Sequence, residues 1–384
     1  MRRLLILTSS TGGGHNTRAR AFQAWVQREF GTEISVHIHQ ALEETHGLYR
    51  FGVFLYNRIQ RHAPWLHHFY FHFLEAAGLF RSSRRMLGRE KFLAVLNEFK
   101  PDLLLSVHAS LNHGFFELAR TCLGRKNVFC ATYCGELSGG RGFSRHWVNP
   151  EADLFIGAVE ETCAAARALG MPPGKCMVGG FLLDPSFYDP APDETTRRAF
   201  IENELSLDPD RFILLLSTSA MGANNHFRFL EALAARNTPL QVVALCADPT
   251  FLVERILPLQ EQNPGMAIRV LPFSRHMARL LSCVSAVVAR PGTGTTSEAI
   301  LSACPLLHNG LGGIMPQEAI TLKFCAAHQL SRVISSPAKL ADVIEDWLKH
   351  PEKPGDFRER MKAARPAGHP RDIVGRVLQA VSAP

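Results

Sequence analysis

The stretch Thr8-Ser-Ser-Thr-Gly-Gly-Gly-His15 decides how this chain is read. It follows the short apolar run Arg3–Thr8 and precedes the helical pattern Asn16–Phe30, so a strand runs through a glycine turn into a helix. Consecutive glycines let backbone approach a ligand closely and point N–H groups at it. The helix N-terminus adds about half a positive charge. Together they suit an anion such as a phosphate. The spacing is not the dinucleotide fingerprint Gly-x-Gly-x-x-Gly. It is not a P-loop either, because Gly174-Lys175-Cys176 lacks the hydroxyl residue and the full spacing. A turn of no chemical interest is the plain alternative, and the histidine behind the glycines weighs against it.

Working outward, the first half alternates short apolar runs with helical stretches. Glu33–His39, Pro101–Val107, Asn127–Thr132 and Asp153–Gly157 read as strands, and Glu160–Leu169 as a helix. That pattern argues for a parallel sheet covered by helices on both faces. Between Leu183 and Glu194 the prolines of Asp-Pro-Ser-Phe-Tyr-Asp-Pro-Ala-Pro-Asp break regular structure and stiffen the chain. The alternation then restarts, with strands at Phe212–Ser217, Leu240–Cys246, Ala267–Val270, Val284–Ala289 and Pro305–His308. The expected architecture is α/β, two doubly wound Rossmann-like domains facing a cleft. The expected boundaries are 1–183, a linker over 184–210, and 211–384, with the last helix free to pack back on the N-terminal domain. Ligands of such sheets sit outside the carboxyl ends of the strands.

A second strand-to-helix turn lies at Ala289-Arg-Pro-Gly-Thr-Gly-Thr-Thr-Ser-Glu298. Glu298, in or just after the first turn of its helix, can accept the two hydroxyls of a ribose. Thr293, Thr295 and Thr296 can cap the helix or hold phosphate. A third glycine segment, Gly310-Leu-Gly-Gly-Ile-Met-Pro-Gln-Glu318, follows.

Composition narrows the class. At 46% hydrophobic and 20% charged the chain is ordinary globular protein, not disordered or fibrous. No apolar run is long enough for a transmembrane helix, and the opening Met-Arg-Arg-Leu-Leu-Ile-Leu-Thr does not read as a signal peptide. Nine scattered cysteines without Cys-x-x-Cys suggest reduced thiols and a cytoplasmic protein. The net charge of +7 is local: residues 1–183 carry 21 Lys+Arg against 14 Asp+Glu, and the remainder is balanced at 21 against 21. Residues 50–91 hold eight basic and two acidic side chains, and ten aromatics fall between Tyr49 and Phe80. Pro64 splits this segment into two helices. Aromatic faces rimmed by Arg suit an interfacial helix on anionic lipid better than a nucleic-acid module.

Metal sites read poorly. Asp208-Pro-Asp210 sits in a proline turn, and His68 and His72, at i and i+4, lack a clear third ligand beyond Glu75. No metal and no cofactor is expected.

Taken together, the glycine loops resemble the diacylglycerol glycosyltransferases of the monogalactosyldiacylglycerol synthase type. They are more distantly similar to the N-acetylglucosamine transferase of lipid II synthesis, within glycosyltransferase family 28. The resemblance runs from about Leu4 to about Ala327 and implies the GT-B fold, a UDP-sugar co-substrate and no nucleic-acid partner. It places His15 at the reaction centre and makes Gly13 and Gly14 of the same loop donor-binding residues. It makes Pro101–His108 a family strand ending in histidine. Arg61-His-Ala-Pro-Trp-Leu66 and the aromatic run to Phe73 look like the acceptor and membrane segment. The acceptor and membrane residues it suggests are Arg58, Arg61, Trp65, Phe69, Tyr70, Arg84 and Arg85. For the donor it implies Thr218, Gly222 and Asn224 of the 217–224 loop, Phe273 at the uracil pocket, and Met277. It adds Arg290, Gly292, Thr295 and Glu298 of the second glycine turn, and the pair Gln317 and Glu318. Where relatives carry Thr-Asp-Leu, this chain has Gly135-Glu136-Leu137, which keeps the carboxylate and lengthens it by one methylene.

The reaction needs a base for the acceptor hydroxyl, assigned to Glu136 or His15 with His108 third. It needs charge stabilisation for leaving UDP, assigned to the glycine loops and Arg290. The expected function is a metal-independent inverting transfer of a hexose from a UDP-sugar to a lipid acceptor such as diacylglycerol, by a protein peripherally bound to an anionic membrane. The alternatives are a UDP-sugar enzyme with a soluble acceptor, a UDP-sugar 2-epimerase, or a non-catalytic UDP-sugar-binding protein.

Overall fold

The computed structural model describes residues 2–78, 80–217, 225–246, 249–272 and 276–382. The chain divides into two compact units. The first comprises Met1–Pro185, Met315–Thr321 and Pro366–Pro384, and the second Ser186–Ile314 and Leu322–Arg365.

In the first unit the order begins β1 (Arg2–Thr8), α1 (Gly14–Phe30), β2 (Ile34–Gln40), α2 (Ala41–Thr45), α3 (Gly47–His62), α4 (His67–Ala77) and α5 (Arg89–Phe99). It continues β3 (Leu103–Ser106), α6 (Gly114–Leu123), β4 (Phe129–Cys134), β5 (Leu154–Gly157), α7 (Glu160–Ala168) and β6 (Cys176–Val178). The six strands pair in parallel in the order β2-β1-β3-β4-β5-β6. Helices cover both faces of such a sheet, so its strands read as unbroken apolar runs. In β1, Leu4, Leu5, Ile6 and Leu7 are all at most 1% exposed.

The second unit opens with α8 (Glu194–Ala199), β7 (Ile213–Ser217), α9 (His226–Ala234), β8 (Gln241–Leu245), α10 (Pro249–Gln262), β9 (Ala267–Leu271), α11 (Met277–Cys283), β10 (Ala286–Ala289) and α12 (Thr293–Leu301). Then come β11 (Leu306–Asn309), α13 (Pro316–Ala327), β12 (Ser331–Ile334), α14 (Pro337–Lys349) and α15 (Glu352–Ala363), and the chain ends with α16 (Pro370–Ser382). Its parallel sheet has the order β12-β11-β10-β7-β8-β9.

Each strand order contains one reversal. In the first sheet the chain steps from β1 outward to β2, then returns to the other side of β1 as β3. In the second it steps β7-β8-β9 and returns beside β7 as β10. At such reversals the connections leaving neighbouring strands diverge and open a crevice at the carboxyl ends. The first crevice is bounded by the glycine turn after β1 and by His108 after β3, and the second by the turn after β10.

The residues expected as a linker, 184–210, are partly built into the second unit. Asp193 caps α8 by accepting from the Thr196 amide at 2.7 Å. Phe200 and Ile201, which follow, are buried. An apolar pair beyond the prolines gives this stretch something to bury, and it packs. Two edge strands, β6 and β12, are three and four residues long and too short to stand out in the sequence. The final helix returns to the first unit, where it packs on α1. There Trp25 donates to the Leu183 carbonyl at 2.8 Å and meets His369 edge-on with ring centroids 5.0 Å apart.

Candidate active site

Gly12 and Gly13 both adopt the left-handed conformation, at φ 68° and 81°. Side chains there would be strained, so the turn into α1 requires glycine at these two positions. Side chains from α1, α2 and α3 hold the turn. Glu43 accepts from the Ser10 amide at 2.5 Å and from the Ser9 hydroxyl at 3.2 Å. Asn16 accepts from the Thr8 hydroxyl at 2.9 Å. Asn57 bridges the loop, accepting from the Gly12 amide and donating to the Ser10 carbonyl, both at 3.0 Å. Asn57→Ala removes both bonds, and a loss of about 1–2 kcal/mol is expected from two part-buried hydrogen bonds. A urea midpoint indistinguishable from wild type would contradict this role.

His15 begins α1, and its Nδ1 lies 2.7 Å from the Val107 carbonyl. A carbonyl only accepts, so Nδ1 carries the proton and the lone pair of the neutral ring sits on Nε2. Burial, then His108 and Arg18, push its pKa well below 6.5. It is therefore neutral at pH 7 and able to take a proton.

His108 stands beside it, with ring centroids 4.4 Å apart, but both of its nitrogens are engaged. Nδ1 accepts from the Ser110 amide at 3.1 Å, which leaves Nε2–H to donate to the Thr11 hydroxyl at 2.9 Å. With its pKa pushed down to about 4 by burial, His108 is built as a strut of the loop.

Glu136 follows β4. Its carbonyl accepts from the Thr162 hydroxyl. Its Oε2 is shielded from solvent and has no hydrogen-bond partner among the described residues. Burial pushes this carboxyl up to about 7, with Arg18 opposing. A carboxyl poised near neutral pH with an unengaged oxygen has the properties of a general base.

Gln317 and Glu318 start α13 within the first unit. Gln317 donates to the Tyr56 hydroxyl at 3.1 Å, and Glu318 accepts from the Met315 amide at 2.9 Å. Burial, with Glu318 and Glu136 nearby, raises the Tyr56 pKa and keeps the phenol protonated.

In the second unit, Gly292 caps α12, and Gly292, Thr295 and Glu298 are half-buried near the carboxyl end of β10. The helix begins at Thr293, so Glu298 falls just after its first turn. Arg290 is buried, with Nη1 donating to the Asn309 and Leu311 carbonyls at 3.2 and 2.8 Å and Nη2 to Gly313 at 2.7 Å. Its guanidinium thus shapes the 309–313 loop. Met277 is buried at the start of α11. Thr218, Gly222, Asn224 and Phe273 lie outside the described residues.

The basic aromatic segment forms α3 and α4, broken at Pro64–Leu66. Trp65, Phe69 and Phe73 are 60%, 72% and 63% exposed, and Arg58, Arg61, Arg84 and Arg85 are exposed as well. Tyr70 is different: its hydroxyl donates to the Gly52 carbonyl at 3.2 Å and ties α4 to α3. Among the described residues, no group of three or more His, Cys, Asp or Glu side chains is placed to hold a metal ion. Asp210 forms a two-pronged ion pair with Arg198 at 2.6 and 2.7 Å.

Sequence patterns miss Arg18, Tyr56, Asn57 and Glu43. Arg18 carries a usable signal: three residues after His15 it shares that helix face, where a solvated Arg is out of place.

The family model for monogalactosyldiacylglycerol (MGDG) synthase matches residues 15–181, which span the glycine-loop histidine, the aromatic segment and Glu136. A probable MGDG synthase of Nicotiana tabacum is 25% identical over 90% of this chain and 64% of its own length. The chain is similar to the MGDG synthases over most of its own length. It spans just under two thirds of the length of that tobacco protein and of MGDG synthase 1 of Arabidopsis thaliana, which is 24% identical over 65% of its length. A processive diacylglycerol beta-glucosyltransferase of Bacillus cytotoxicus is 24% identical over 75% of this chain and 71% of its own. In fold, the chain superposes on MurG of Acinetobacter baumannii with a TM-score of 0.63 at 14% identity, covering 99% of this chain and 100% of the other. It superposes on Os79 of Oryza sativa, solved with UDP, with a TM-score of 0.62 at 12% identity, covering 98% and 100%. The fold is GT-B.

Proposed function

We infer that this chain is a metal-independent, inverting glycosyltransferase that moves a hexose from a UDP-sugar to a lipid acceptor such as diacylglycerol at a membrane surface. The observation that carries the reading is the two-sided helix α3. One side leaves Leu48, Phe51, Phe54 and Leu55 exposed, Phe51 by 58% and Phe54 by 57%. The other supplies Asn57 to the glycine loop and Tyr56 to Gln317. An exposed aromatic face with an Arg rim suits the interface of an anionic bilayer. The same helix supports the loop that carries His15, so a lipid delivered there arrives beside the proton acceptors.

In the proposed reaction the acceptor oxygen forms a bond to the anomeric carbon while the bond to UDP breaks. The hydroxyl proton passes to Glu136 or His15, and the electron pair leaves with UDP. One displacement inverts the anomeric centre. Donor binding belongs to the second unit, where Gly292, Thr295 and Glu298 border the crevice after β10. The likeness of the chain to a diacylglycerol glucosyltransferase and to MGDG synthases supports a glycerolipid acceptor.

Vesicle co-sedimentation tests the surface claim. The protein is expected to pellet with anionic vesicles at low salt and to be released as salt screens the Arg rim. Equal recovery in the supernatant with and without anionic lipid would sink it. UDP release over a panel of UDP-sugars, with diacylglycerol as acceptor, tests the chemistry.

A further inference from the structure

Arg18 stands on the same helix as His15 and bonds to the turn that carries Glu136. It lies one turn beyond His15 on α1 and is only 8% exposed. Its Nη2 donates to the Gly135 carbonyl at 3.2 Å, across 117 residues of chain. A Cβ at position 135 would overlap the guanidinium, and one at Gly14 would stand 3.7 Å from Nη1. The guanidinium therefore packs against the glycine loop on one side and the turn before Glu136 on the other. A buried cation is costly unless carbonyls or an opposite charge compensate it.

Several titratable groups lie near Arg18 or near the Glu136 carboxyl. His15 belongs to α1, and Tyr133, Cys134 and Glu136 to β4 and its end. Tyr56 comes from α3, and Glu318 from the start of α13. Arg18 acts electrostatically on four of them: His15, Tyr133, Cys134 and Glu136. Glu136 has an oxygen with no partner among the described residues, so its response to that charge is not masked by a competing hydrogen bond there.

We propose that Arg18 is a positioning residue of the transfer reaction: its guanidinium fixes the Gly135–Glu136 turn beside the glycine loop and sets positive charge against the Glu136 carboxyl. This rests on the reading of Glu136 as a proton acceptor. Two forces act on the carboxyl, burial pushing it toward the neutral acid and Arg18 holding it toward the carboxylate. Without Arg18 the first is unopposed, and the acid form persists to higher pH. A lost Gly135 hydrogen bond alone would lower activity without moving that titration.

The test reads the carboxyl directly. Protein labelled with carboxyl-13C glutamate is titrated by NMR as wild type, R18M and R18K, with the Glu136 resonance identified by its absence in E136Q. The Glu136 midpoint is expected to rise by roughly one pH unit or more in R18M and to return toward wild type in R18K. The acid limb of kcat/KM should move with it. An unchanged midpoint in folded R18M overturns the proposal, even if activity falls. Should R18M fail to fold, G135A is read instead, because its methyl displaces the guanidinium: a raised midpoint supports the proposal and an unmoved one overturns it. The two readings fail separately. An unmoved midpoint in an active enzyme removes only the Arg18 assignment, whereas a moved midpoint in a protein that transfers no sugar removes the transferase reading.

Discussion

Glu136→Gln should lower turnover by about 10²–10⁴, the range of a lost general base, while UDP binding survives. Such a loss corresponds to about 3–5 kcal/mol of barrier. The substitution is nearly isosteric and removes only the ability to accept a proton. His15→Ala should also reduce turnover, and the pH profile tells the two roles apart. A base must be unprotonated, so rate falls as pH drops through its pKa. If Glu136 is the base, the acid limb lies near 7, where burial places that carboxyl. If His15 is the base, the limb lies well below 6.5. Full turnover in both variants would remove both residues from the proton transfer. A limb near 7 that persists in Glu136→Gln would remove Glu136.

The second large effect is on stability in acid. His108, His226 and His308 are at most 8% exposed, and burial pushes their pKa values down to about 4, 4 and 3. Below pH 6.5 the unfolded chain protonates these rings while the folded chain resists. Stability is therefore lost as pH falls from about 6.5 toward 4. Each tenfold loss of proton affinity on folding corresponds to about 1.4 kcal/mol, so three such rings carry on the order of several kcal/mol. That is a large share of the roughly 5–15 kcal/mol typical of a folded protein. Glu136 works in the opposite sense: its folded pKa lies above the ordinary 4.5, so its contribution is lost as pH rises through about 4.5 to 7. One carboxyl does not offset three histidines. Urea midpoints between pH 7 and pH 4.5 should drop steeply, and a flat series across that range would contradict the assignment of these rings as neutral.

Much of the architecture is legible in the sequence because it rests on local signals. The β1–glycine–α1 turn, the proline stretch after Leu183 and the restart of alternation at β7 each follow from neighbouring residues. The edge strands β6 and β12 and the helices α5 and α6 do not stand out, since their short or mixed patterns acquire meaning only from what they pack against. The site divides along the same line. His15 and Glu136 are visible through motif position and residue type. Arg18 against Gly135 and Tyr56 against Gln317 pair across 117 and 261 residues, and no local pattern encodes such a pairing. By residue type His108 is as suitable a base as His15, and only the amide of Ser110 and the hydroxyl of Thr11 distinguish them.

The first unit is threaded from three separate stretches of chain, and this governs how the protein can be cut. A fragment ending at Pro185 would lack α16, exposing the side of α1 it covers, and would lack Ile320, which belongs to that unit's core. A fragment begun at Ser186 would carry Met315–Thr321 without the packing that orders them. Loss of the segment from Pro366 onward is thus an injury to the start of the protein, felt at Trp25 and Leu183. A tag or fusion at the C-terminus attaches, in effect, to the unit that carries the glycine loop.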